Sequence, residues 1–221
     1  MSLPRRSSLA ISSYDGPRVT EVLVFSWHHF LSPAAHVEAR HEQRFPYMAI
    51  AQAACKSMDR SIVDVLSQGI CLGFVFVVVE ATLDAFAAEI AAYFPHTGRW
   101  LEKNAAAVLI FKPQHASAND MYADMLREIC RQVQIRRRSQ PEATLALTVF
   151  GPRALRAACR TLADSYPILP KAIYTTEDTA SVELMAARLR QVEEHLASII
   201  HHATPLDLSL VRPVDRPSVE L

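Results

Sequence analysis

Residues 74–79 read Phe-Val-Phe-Val-Val-Val, an apolar run with no polar alternation. A strand of that kind has no face to give to water, so it belongs at the centre of a sheet covered on both sides. Its surroundings agree. Residues 19–27, 106–111 and 144–150 are also dense in β-branched, aromatic and aliphatic side chains and read as buried strands. Between them lie helical patterns. Pro46 stands at a first helical turn, followed by Met48, Ala51, Ala54, Cys55 and Met58 at spacings of three and four, and Gly69 reads as the C-terminal cap. Thr82 reads as the cap of a helix with Leu83, Phe86, Ile90 and Phe94 on one face, ended by Pro95. Met121, Met125, Ile129 and Val133 mark a third helix, and Leu155, Ala158, Cys159 and Leu162 a fourth. This alternation predicts a single three-layer α/β domain with a mixed sheet of about four strands.

A fifth helix is expected over 179–200, where Val182, Met185, Leu189, Val192, Leu196 and Ile199 recur at three and four. Such a stripe must be covered, either by the helix's own domain or by a second copy or protein partner. Both readings stay open. The expected organisation is a tail over 1–18, an α/β domain over 19–135, a strand-helix-helix extension over 136–204 after the charged break Arg-Arg-Arg-Ser-Gln-Pro-Glu at 136–142, and an extended tail over 205–221 with prolines at 205, 213 and 217.

Composition narrows the function classes. Among 221 residues, half belong to the hydrophobic set, and 23 basic side chains balance 23 acidic ones, so wholesale disorder is excluded and no global field attracts nucleic acid. Any RNA contact must rest on a local patch, for which Lys56, Arg131, Arg136, Arg137 and Arg138 are the candidates, although a run such as 136–138 is equally a solvated turn. The four cysteines contain no Cys-x-x-Cys pair, which argues against a zinc site and a disulfide framework and for a reducing, cytoplasmic setting. Residues 1–14 hold two Arg, five Ser and no acid, a composition shared by disordered tails and mitochondrial transit peptides. The longest apolar run, 69–79, falls short of the roughly 20 residues needed to span a bilayer, so no membrane association is expected. Five glycines leave no room for a phosphate-binding loop, and no cofactor is called.

Histidines suggest two minor alternatives. His28, His29, His36 and His41 gather in and after the first strand, without the helical or cysteine spacing of a metal site. His115-Ala-Ser117 and His202-Ala-Thr204 repeat a pattern similar to that of 2H phosphoesterases, but outside the strands that normally carry it.

The order of a helix containing Ala51-Gln52-Ala53, a buried strand, an amphipathic helix, the segment Trp100-Leu101-Glu102 and a strand closed by Lys112-Pro113 resembles the type-2 peptidyl-tRNA hydrolases, closest to their divergent peptidyl-tRNA hydrolase domain-containing branch, over about residues 20–130. The resemblance implies ester hydrolysis between peptide and tRNA, with Gln52 and Glu102 as site residues; adjacent Lys103, which matches no family position, is a candidate cation of the site. Alternatively it implies an inactive relative that associates with RNA or with an assembly. Pro46-Tyr47-Met48 stands where the family has its lysine-glycine loop, Cys55 where it has a histidine, and Ser26 and His28 where an arginine and aspartate are expected.

Overall fold

The computed structural model describes residues 19–33, 45–112, 118–136, 144–175 and 182–210, with the backbone alone for 45–52 and 118–120. Its strands are β1 (Val19–Ser26), β2 (Phe74–Val78), β3 (Val108–Phe111), β4 (Thr144–Pro152), β5 (Ile168–Thr175) and β6 (Leu206–Leu210). Its helices are α1 (Phe45–Leu72), α2 (Leu83–Tyr93), α3 (Pro95–Lys103), α4 (Ala118–Arg136), α5 (Arg153–Ser165) and α6 (Val182–Ile200), with a π-helical turn at Trp27–Leu31. None of the described helices is long and apolar enough to cross a membrane.

All six strands pair in parallel in the order β3-β2-β1-β4-β5-β6. The expected mixed sheet of about four strands is therefore corrected to six parallel ones. Two strands escape a hydrophobic scan for identifiable reasons. β5 carries Pro170 and Lys171 inside its run, and β6 is a five-residue edge strand within the segment expected to be a tail. The break at 136–142 does not divide the sheet, since β4 beyond it pairs with β1 from Val19–Thr144 to Phe25–Phe150.

Side chains alternate between two cores, as the two-residue period of a strand requires. On one face Leu23, Phe25, Val75, Val77, Phe150 and Ile173 meet α1, α2, α3 and α6. On the other, Val22, Val24, Phe76, Leu147, Val149 and Ala172 meet α4 and α5. Phe25 stacks on Phe150 with ring centroids 4.5 Å apart, joining the two central strands. The α6 stripe is among the buried residues, Leu189 and Val192 at 1% exposure and Leu196 at 0%, so it is covered within the chain, largely by α1.

This placement has a topological consequence. Steps from β1 to β2 to β3 run one way along the sheet over one face, and steps from β3 to β4 to β5 run the other way over the opposite face, so these four crossovers share one hand. The β5-α6-β6 step continues in the second direction but over the first face. Its hand is opposite, in a class of connection that is right-handed about 98% of the time. The packing supplies a reason: with α6 on the other side, the Phe150 and Ile173 face would lack its cover.

Two local features anchor the helices. Gly69 lies inside α1 rather than at its end, where a Cβ would already sit 3.1 Å from Val75 Cγ2. The helix ends three residues later, before Gly73, whose Cβ would collide with the Glu21 carbonyl. Pro95 opens α3, whose first amides are capped from another element: buried Asp59 of α1 accepts from His96 N and Thr97 N, both at 2.8 Å, and from Thr97 Oγ1 at 2.7 Å.

Candidate functional site

Parallel sheets of this doubly wound kind place ligands at the carboxyl ends of the strands, where the chain's direction along the sheet reverses. Here that point lies between β1 and β4. Ser26 is the last residue of β1, and Glu80 follows β2 by two residues.

After β1 the chain does not enter a glycine loop. Ser26 Oγ accepts from His29 N at 3.3 Å and starts the π-helical turn, which buries Trp27, Phe30 and Leu31. Trp27 meets Phe86 and Phe94 edge to face at 5.0 and 5.6 Å. Aromatic core thus occupies the position where a dinucleotide-binding domain brings its backbone against a pyrophosphate.

The polar side chains of this turn converge on two glutamates. Glu80 accepts from Ser26 Oγ at 2.7 Å, from Tyr122 Oη of α4 at 3.2 Å and, through Oε2, from His28 Nδ1 at 3.1 Å. Glu89 of α2 accepts from Trp27 Nε1 at 2.6 Å and from Ser32 Oγ, while its Oε2 lies 3.3 Å from His28 Nε2. Both ring nitrogens of His28 therefore face carboxylates. Only the doubly protonated ring donates to both.

Electrostatics agree with that reading. Burial disfavours a charged His28, but its hydrogen bonds to Glu80 and Glu89 outweigh it and raise the pKa from 6.5 to about 9. For Glu80, burial pushes upward, yet hydrogen bonds from His28 and Ser26 prevail and hold the carboxyl below its ordinary range. Tyr122 is pushed up by burial and by Glu80, so it remains a donor. Cys55, raised to about 11 by burial and by Glu89, remains a thiol and offers no nucleophile at neutral pH.

The two carboxylates differ in access. Glu89 is buried and anchors the turn, whereas the Glu80 side chain retains 14% exposure. Besides Ser26, His28 and Tyr122, its own backbone N–H donates to the Glu80 carboxylate. The opening at Glu80 is the exposed portion of that side chain.

The residues expected from the sequence lie elsewhere. Gln52 is on α1, and its side chain is outside the described set. Glu102 and Lys103 are exposed at the end of α3. Helix α3 starts on Asp59 and runs beside α1 so that Lys103 shares a depression with Asp64, twelve residues beyond Gln52. At 1.5 Å per residue, roughly 18 Å of helix axis separates the Gln52 position from that level. Lys56 is exposed on α1, Arg131 is exposed and paired with Glu128 at 2.6 Å, and Arg136 is exposed at the end of α4. Arg137, Arg138, His36, His41, His115 and residues 1–18 are outside the described residues. His202 and Thr204 are exposed in the turn before edge strand β6, four strands away from β2. No group of three or more His, Cys, Asp or Glu among the described residues could hold a metal ion.

The cluster left a faint trace in the sequence. His28 and Glu80 each follow the end of a buried strand by two residues, the position that a parallel sheet turns into a site. Glu89 gave no such signal, as one acid on an amphipathic helix.

No protein-family model matches the chain, and no curated protein matches it.

Proposed function

We propose that this chain is a small-molecule-binding α/β domain whose ligand enters at the strand ends beside β1 and β2, with the Glu80 carboxylate as the receiving group. The observation that carries this reading is the treatment of Glu80: donors from Ser26, His28, Tyr122 and its own backbone orient it and hold it ionised, while its side chain keeps 14% exposure at the strand ends. An ionised acceptor in fixed orientation selects hydroxyl or ammonium donors over anions. The ligand class is therefore a polyhydroxylated or cationic small molecule. The aromatic filling after β1 argues against a dinucleotide.

A panel of sugars, polyols and amines screened by thermal shift and ligand-observed NMR tests this. At least one class should bind, and Glu80→Gln should weaken it at least tenfold while Glu21→Gln leaves it unchanged. A panel without binders, or a Glu80→Gln protein that binds as well as wild type, would contradict the reading.

A second proposal follows the resemblance, a divergent peptidyl-tRNA hydrolase or its non-catalytic RNA-associated relative. Its support is that Trp100-Leu101-Glu102 and Lys103 stand directly before β3, with both charged residues open to solvent. Release of peptide from a blocked aminoacyl-tRNA, slowed at least tenfold in Glu102→Gln, is the expected outcome. Protein indistinguishable from buffer would remove it.

A further inference from the structure

Away from the Glu80 cluster, α1 and α3 enclose a depression of about 380 Å³ lined by Arg60, Val63, Asp64, His96, Arg99, Trp100 and Lys103. The residues reach it by helical spacing. His96, Arg99, Trp100 and Lys103 fall at intervals of three, four and seven along α3, and Arg60, Val63 and Asp64 at three and four along α1. Since α3 is fastened to α1 through Asp59, these two stripes are held facing each other.

We propose that this depression binds a nucleotide 5′-phosphate, with the phosphate on the Arg60, Arg99 and Lys103 cations and the base on the Trp100 ring. Three cations line it against one acid, Asp64, in a chain whose net charge is zero. Arg99 and Lys103 are like charges one turn apart on α3, an arrangement that repels when left unpaired. The three cations are exposed, and a bound phosphate relieves their crowding through charge-assisted hydrogen bonds. Arg99 is also partly set in place: its Nε donates to Pro95 O at 3.2 Å and a terminal nitrogen lies 3.4 Å from His96 Nδ1. Three of its five donors stay available.

Trp100 adds the second element of recognition. It packs partly against the core while also lining the depression, so one portion is fixed and another open. A fixed indole beside cations is the pairing that nucleotide-binding surfaces use, since every base has a π-face and each phosphate a charge. Asp64 is exposed, and Glu193 of α6 lies near enough for Asp64 to raise its pKa, after burial as the larger cause. That side is unfavourable to phosphate and favourable to ribose hydroxyls. The ligand is thereby oriented, phosphate toward the cations and sugar toward Asp64.

The test uses the full chain and uridine monophosphate as probe, with uridine, inorganic phosphate and a ten-residue oligouridylate as comparisons, each titrated by calorimetry and, wherever the tryptophan is present, by following the Trp100 indole resonance. The monophosphate should saturate the shift, and uridine should bind at least tenfold more weakly. Arg60→Ala and Lys103→Ala, both at exposed positions, should each weaken the monophosphate at least threefold, and the double variant at least tenfold. Trp100→Leu should lose the preference for the monophosphate over inorganic phosphate. Arg131→Ala with Arg136→Ala should change binding less than twofold. An oligouridylate bound more than tenfold tighter, with a steeper salt dependence, identifies the source as a strand, and comparable affinities identify free nucleotide. Absence of a saturable shift, equal binding of uridine, or wild-type affinity in the double variant would overturn the proposal.

Discussion

The two ends of the sheet each hold buried charge, and they handle it differently. At the strand ends beside β1 and β2, His28 sits between Glu80 and Glu89, and Ser26, Trp27, Ser32 and Tyr122 saturate much of the remaining acceptor capacity. Toward the other end, Lys171 of β5 is fully buried, donating to the Ile200 carbonyl at the end of α6 and lying 3.4 Å from both Glu21 oxygens. Burial raises the Glu21 pKa, and Lys171 only partly counters it. The lysine therefore acts as a clamp, closing the carboxyl end of α6 onto the sheet and satisfying a helix carbonyl that would otherwise lack a partner. The histidine network fixes its charges with many donors and still leaves the Glu80 side chain 14% exposed. Closure without access gives structure; closure with partial access gives a candidate site.

The largest effect should come from His28→Ala. Removing the cation leaves two carboxylates facing an emptied position, and breaking a buried pair from one side costs about 3–5 kcal/mol. Urea denaturation at pH 7 measures it, and a loss under about 1 kcal/mol would mean that the network is as dispensable as a surface pair.

The wild-type pH profile sharpens the same contrast. Folding raises the His28 pKa from 6.5 to about 9, so the folded state binds more protons in that interval. Its contribution, about 3 kcal/mol, is fully present below pH 6.5 and is lost as pH rises through 9. Stability should fall across that window in wild type, and this component of the decline should disappear in His28→Ala.

Lys171→Met should cost less, about 1–3 kcal/mol, because Glu21 can take up a proton once the ammonium is gone. The sign of its pH dependence is specific. Without Lys171 the folded carboxyl binds protons more tightly still, so the defect should be larger at pH 8 than at pH 5. A defect equal at both pH values would show that the carbonyl bond alone matters.

Asp59→Asn should cost about 1–2 kcal/mol, since an amide presents a donor to one of the α3 amides that the carboxylate now caps. The smallest effect is expected at β6, where Arg156 meets Asp207 at 2.7 and 2.5 Å and lies 4.7 Å from the Tyr174 ring centroid. Arg156→Ala should cost under about 1 kcal/mol, because the pair is partly exposed. Faster hydrogen exchange confined to β6 would mark it.

The sequence revealed elements wherever burial wrote a continuous pattern. Residues 74–79 and the α6 stripe could be read because both of their surroundings are apolar. β5 could not, since its central Lys171 obtains partners from β1 and from the end of α6, both far away in the chain. Strand direction was equally hidden: local pattern does not distinguish a parallel neighbour from an antiparallel one, and the unusual hand of the last crossover depends on which face remains bare. The candidate site needed all of this, because Ser26 with His28, Glu80, Glu89 and Tyr122 come from four segments that the packing around the sheet brings together. Gln52 and Glu102 were chosen by resemblance, and the helix that carries Glu102 leaves it exposed near its end.

The account depends most on His28 being an imidazolium held between two carboxylates, since that charge keeps Glu80 ionised and aimed. Nitrogen-15 NMR of the histidine rings across pH 5 to 10 tests it directly. Both ring nitrogens of His28 should be protonated at pH 7.5, with a titration midpoint near 9 that drops in Glu89→Gln. A single protonated nitrogen at pH 7.5 and a midpoint near 6.5 would contradict the account.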